Sequence, residues 1–315
     1  MSSTPPLSRP VFDPFAHHPS LATLRTACHA RDWGTVSDFF AALGDEDERA
    51  YASSVVADLP GSEHLLEQAS AAHPGDPLPR TLLADRYIRI GWSIRSNARA
   101  SKVSEAQFGQ FHSWLRRAEG LLIEVCAEHP AYALAWCHRV TTARGLQLGA
   151  SEARRRYDRL AEHHPHHYAA QAKLLQQLCP KWGGSWEAAE GFARACAADA
   201  PPGGNNGALV AEVHMERWLD LDEGPDAAHM SAHAVRDELL AAARRSVLHP
   251  EYRPGFHWVT AHGHFAAALS LGRHHAEAAP HFRALGNMAG TFPWTYLGDQ
   301  EAAFIKHRKT ALAKG

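Results

Sequence analysis

The stretch "GASEARRRYDRLAEHHP", Gly149 to Pro165, decides how the chain is read. A glycine opens it, Ala153, Tyr157 and Leu160 follow at spacings of four and three, and a proline closes it. That spacing puts the three side chains on one face of a helix. Gly149 suits the corner before the helix. Pro165 stops it, because the ring removes an N–H donor and crowds the preceding turn. Outward from here, similar phrases end other segments: "AEHP" at Pro130, "AADAP" at Pro201 and "VLHP" at Pro250. The first three prolines are 35 and 36 residues apart, and the fourth comes 49 later, as an insertion would place it.

Each interval has one order: an apolar helix, a glycine corner, then an alanine-rich amphipathic helix. From His167 to Leu178 a helix leads through "KWGGS" into "WEAAEGFARACAADAP". One such hairpin cannot bury its apolar face alone, so neighbouring hairpins are expected to stack. Ala153, Tyr157, Leu160 and Pro165 fall at the small–aromatic–small–proline spacing of the tetratricopeptide family, which the chain resembles. Ala188, Phe192 and Ala195 repeat the spacing one residue out of phase with Pro201. The phrase around Lys181–Trp186 also resembles a bacterial helical-repeat family of unassigned function, which implies no activity.

The remaining segments read as helices too, and no alternating strand pattern is found. "DEDERAYASSVVADLP" starts with acids, favourable at the positive end of a helix, and stops at a proline. The expected fold is all-α: a superhelical stack of antiparallel hairpins, a TPR-like α-solenoid of about seven hairpins and ~14 helices. Residues 19–315 are expected to form a single domain, preceded by a loosely ordered segment over 1–18. "NARASKV" (97–103) is read as a mobile loop, and "DAPPGGNNGA" (199–208) and "DLDEGPDAAHM" (220–230) as inter-helix loops.

Composition narrows the functional classes. The 315 residues are 45% apolar and 21% charged, enough for a buried core. A net charge of −2 removes the basic balance expected of a nucleic-acid binder. No apolar stretch is long enough for a membrane span, and the N-terminus lacks a signal core, so a cytoplasmic protein is expected. Five scattered cysteines without C-x-x-C argue against a disulfide framework or a thiolate zinc site. Twenty-three histidines are an excess that the codon bias of a GC-rich bacterial genome also produces.

Three constellations carry chemistry. Lys181 and Trp182 stand at a helix corner that needs neither two tryptophans nor a lysine, and they offer a cation and an aromatic face. Arg86, Trp92 and Arg95 lie three or four apart around Arg89 and Ile90, a pattern suited to carboxylate or phosphate, because guanidinium bonds such groups bidentately and stacks on indole. His229 and His233, at i and i+4, share a helical face and could seed zinc. No H-E-x-x-H accompanies them, so no cofactor is expected. "RRRYDR" (154–159) and the "HHPHH" run (163–167) read as solvated surface.

These observations lead to an interaction protein holding a peptide or protein partner through an anionic group in a concave groove. Arg86, Trp92, Arg95, His138, Lys181, Trp182, His214 and Arg217 are expected to line it. The alternative is an enzyme or binder of a small anionic ligand, with His214 as acid–base, Glu216 or Glu212 beside it, and Arg95 as an anion clamp.

Overall fold

A computed structural model of the chain describes residues 8–96, 103–221 and 224–315. The first residues of the N-terminal segment and nearly all of the 97–103 loop therefore lie outside the described residues. Among the described residues there are seventeen α-helices and no β-strand. The first are α1 (Pro14–His17), α2 (Ala22–Ala30), α3 (Trp33–Ala42), α4 (Glu46–Asp58), α5 (Ser62–Ala72) and α6 (Pro77–Arg95). They are followed by α7 (Glu105–Glu128), α8 (Ala133–Gly145), α9 (Ala150–Ala161), α10 (Tyr168–Leu178) and α11 (Trp186–Asp199). The chain ends with α12 (Ala208–Asp220), α13 (Pro225–Ser231), α14 (His233–Arg245), α15 (Trp258–Leu271), α16 (His275–Leu285) and α17 (Gln300–Lys314). The short α1 and α13 occupy stretches read from sequence as lead-in and loop. None of the described helices is long and apolar enough to cross a membrane.

Local chemistry explains the boundaries. Asp45, Asp76, Ser104, Ser185 and Asp299 each cap a helix start with a side-chain oxygen that accepts from the first-turn backbone. Ser104 and Gln107 complete a reciprocal capping box. Helices α7, α9, α11 and α14 each end shortly before the recurrent proline. Counting back twelve, eight and five residues from Pro130, Pro165 and Pro201 gives the buried faces, whereas the same count from Pro250 reaches the exposed Arg245. The three faces are Ala118, Leu122 and Val125; Ala153, Tyr157 and Leu160; and Ala189, Ala193 and Cys196. In α11 the expected positions Ala188 and Ala195 are exposed, so the proline-anchored register sets the face and the Phe192 register does not.

The contacts divide the chain into two compact units: Ser20–Gly184, and Ser185–Gly315 together with the N-terminal residues through Pro19. The division falls inside the "KWGGSW" corner. In the first unit α6 packs against α4, α5, α7 and α8, while α8 also packs against α9 and α10. Helix α4 touches α6, α8 and α10. In the second unit α12 packs against α11, α13, α14 and α15, and α16 joins α15 to α17. The start of the described chain is tied to this unit. Val11 exchanges backbone hydrogen bonds with Asn287 and Ala289 at 2.8 and 2.9 Å, and Arg308 donates to the Ser8 carbonyl at 2.6 Å. All five cysteines are buried and none forms a disulfide.

Candidate functional site

The corner between Cys179 and Trp186 is built by its two glycines. Pro180–Trp182 make one 3-10 turn, and Gly183 ends it at φ +84°, a left-handed conformation that favours glycine. A Cβ on Gly184 would sit 2.0 Å from the Leu178 carbonyl oxygen, so the chain can pass only where no side chain exists. The Gln177 amide donates to the Trp182 carbonyl at 2.9 Å. Together these contacts fix the direction of Trp182. Gly184→Ala is expected to cost about 1–3 kcal/mol, as overpacking does, read as a lower urea midpoint at unchanged slope.

Trp182 meets Trp92 from the last turn of α6, with ring centroids 5.9 Å apart and edge to face. Two guanidiniums lie against both indoles. The Cζ of Arg95 is 5.5 Å from the Trp92 centroid and 5.8 Å from that of Trp182. The Cζ of Arg144, from the last turn of α8, is 5.5 and 5.4 Å from the same two rings. The negative π faces offset the repulsion between the two cations. Partial burial lowers the pKa of Arg95, yet a guanidinium remains charged at neutral pH. The Trp92 indole N–H is buried without a hydrogen-bond partner among the described residues. Lys181 is exposed beside this cluster.

The structure therefore joins Trp92, Arg95 and Trp182 and adds Arg144, which sequence reasoning missed. The other expected residues lie elsewhere. Arg86, on the same helix as Trp92 and Arg95, is committed to other partners: its Nε donates to Glu63 at 2.7 Å and its Nη1 to the Ala57 carbonyl at 2.9 Å. His138 and His214 are each 2% exposed, so neither lines an open groove. Arg217 pairs with Glu190 in the second unit.

His138 has neighbours that resemble a catalytic set. Ser53 Oγ lies 3.1 Å from His138 Nε2, and His138 Nδ1 lies 3.4 Å from Asp85 Oδ1. The order is wrong for a nucleophile, however. The Ser53 hydroxyl donates to Asp85 Oδ2 at 2.7 Å, and Ser53 is wholly buried. Burial outweighs Asp85 and pushes the His138 pKa down to about 4. The set works as a polar knot tying α4, α6 and α8 together.

Three further expectations, one of a shared helical face and two of solvated surface, are corrected by the structure. His229 and His233 do not share a helical face, because the chain breaks at Ala232 between α13 and α14. His167, in the "HHPHH" run, is 4% exposed and lies 2.8 Å from Asp47. Within "RRRYDR", Arg154, Arg155 and Arg159 are exposed and paired to acids, whereas Arg156 is 3% exposed. Arg156 joins Arg139 on Glu119: Nη1 of Arg156 donates to Oε2 at 3.0 Å and Nη2 of Arg139 to Oε1 at 2.9 Å.

The acidic neighbour of His214 is Glu238, 3.3 Å away on α14. No group of three His, Cys, Asp or Glu side chains among the described residues is arranged so that it could hold a metal ion. No protein-family model matches the chain, and no curated protein matches its sequence.

Proposed function

We propose that this chain is a cytoplasmic, TPR-like helical-repeat interaction protein that holds an anionic group of a peptide or protein partner between Arg95, Arg144, Trp92 and Trp182. The observation that carries the reading is the convergence of two guanidiniums on the same two indoles. An approaching carboxylate is attracted by both cations at once and accepts from planar donors already oriented by stacking. Carboxylates, phosphates and acidic helices share that chemistry, and an acidic peptide fits a helical-repeat surface best. The buried positions counted back from Pro130, Pro165 and Pro201 support the repeat reading.

A fluorescein-labelled glutamate-rich peptide tests the site by anisotropy at low and physiological salt. Wild-type protein is expected to bind it, and Arg95→Ala with Arg144→Ala to weaken binding about tenfold or more, the loss of one charged hydrogen bond or greater. Lys181→Ala is expected to have a smaller effect because its ammonium is exposed. Binding that is unchanged in the double variant sinks the assignment.

A further inference from the structure

Helices α12, α13 and α14 bring His214, His229 and Glu238 into a chain within the second unit. Glu238 Oε2 is 3.3 Å from His214 Nε2, and His214 Nδ1 is 3.1 Å from His229 Nε2. The bond to His214, more than that from Arg194, holds the Glu238 carboxyl at about 2, so it is ionised. An ionised carboxylate only accepts, which places a hydrogen on His214 Nε2; in the neutral form of that ring Nδ1 is then a lone pair. That lone pair needs a donor, so His229 carries its hydrogen on Nε2. The second nitrogen of half-buried His229, Nδ1, is then a lone pair that makes no hydrogen bond among the described residues.

Burial, more than the neighbouring His214 and Arg217, lowers the His229 pKa to about 4, so its ring is neutral at pH 7; the charged groups facing it are Arg217, Glu190 and Glu238. Arg194 and Arg217 both donate to Glu190, and Arg194 also donates to Glu238 at 2.7 Å. Each of these carboxylates therefore has a cation of its own. Arg217 lies one turn along α12 from His214; its Nη1 is spent on Glu190, its Nε makes no hydrogen bond among the described residues, and 36% of its side chain is exposed.

We propose that His229 Nδ1 is a general base, backed by a relay through His214 to Glu238, for a small molecule whose carboxylate is held by Arg217. The substrate, or a water attacking it, gives one O–H proton to His229 Nδ1. His229 passes its Nε2 proton to His214 Nδ1, and the new imidazolium rests against Glu238. One proton moves at each step, no electrons are exchanged, and the reverse relay returns the proton to the leaving group. His229 is the catalytic residue; His214 and Glu238 are positioning residues. This goes beyond partner binding and uses none of its residues.

The probe is mono-4-nitrophenyl succinate, an activated ester with a far carboxylate, compared with uncharged 4-nitrophenyl acetate. Wild-type protein is expected to hydrolyse the succinate ester faster than buffer, and His229→Gln to lose about tenfold or more of that rate at unchanged helicity. Arg217→Ala is expected to raise KM for the succinate ester at similar kcat and to remove its advantage over the acetate. Glu238→Gln removes the anion that stabilises the protonated pair, so the acid limb of the pH–rate profile, where the base becomes protonated, moves to lower pH and the plateau falls. Nitrogen-15 spectra of the wild-type chain test the relay without any variant, with both His214 and His229 expected as Nε2–H tautomers. No acceleration by wild type, an unchanged rate in His229→Gln, or a hydrogen on His229 Nδ1 would overturn the proposal.

Discussion

Acidification from pH 6.5 to pH 4 is expected to unfold this protein, and chemical denaturation at pH 7, 6 and 5 should show the midpoint falling at each step. Burial lowers the pKa of His138, His262 and His264 to about 4 and that of His281 to about 3. An unfolded histidine titrates near ~6.5. Below that pH the unfolded chain therefore binds protons that the native chain refuses, and stability falls with pH until the native histidines also titrate. Each group contributes on the order of 3 kcal/mol at the acid end, against a total stability of about 5–15 kcal/mol. Carboxylates act later. Glu152, held at about 2 chiefly by Arg155, and Glu238 lose their contribution progressively as pH falls from the usual carboxylate range to about 2. His281 is the sharpest handle. It is fully buried, stacks on Phe265 at 5.1 Å, and leaves Nε2 without a hydrogen-bond partner among the described residues. His281→Phe is expected to flatten the acid limb, and native helicity persisting at pH 4 would contradict the account.

The second large effect is expected at Glu119. Its carboxylate accepts from Arg139, Arg156 and Thr142, and both arginines are nearly buried. Glu119→Ala strands the Arg139 guanidinium in the interior, while Arg156 keeps its ion pair with Glu152 at 2.7 Å, and should cost about 3 kcal/mol, or roughly 10 °C in Tm. Replacing Glu119, Arg139 and Arg156 together with apolar residues of similar volume is expected to restore much of that loss, since the desolvation of all three ions disappears. Calorimetry on the single and triple variants separates the stranded charge from the net worth of the cluster. Equal losses in both would show that the ions themselves hold the helices together.

Helix content was legible because proline stops and Ser or Asp starts are local signals, and the 35- and 36-residue spacing organised them. The register of α11 was not. Alanines populate both faces of that helix, so Phe192 drew the reading one residue away from the buried Ala189 and Ala193. The break at Ala232 carries no glycine or proline, which made His229 and His233 look like neighbours. Trp92, Arg95 and Trp182 were visible as residues beyond structural need. Arg144 was hidden, because a cation in the last turn of a helix is an ordinary partner of the helix dipole. Glu238 lies 24 residues from His214, and only packing of α12 against α14 brings them together.

The most direct test of the proposed binding site is a two-dimensional nitrogen–hydrogen spectrum of the indole N–H groups, titrated with the glutamate-rich peptide. The chain has nine tryptophans, each with one reporter. Trp92 and Trp182 are expected to shift together along one saturable curve that the Arg95→Ala, Arg144→Ala double variant abolishes. Peptide-induced shifts confined to other tryptophans, with Trp92 and Trp182 unmoved, would contradict the site.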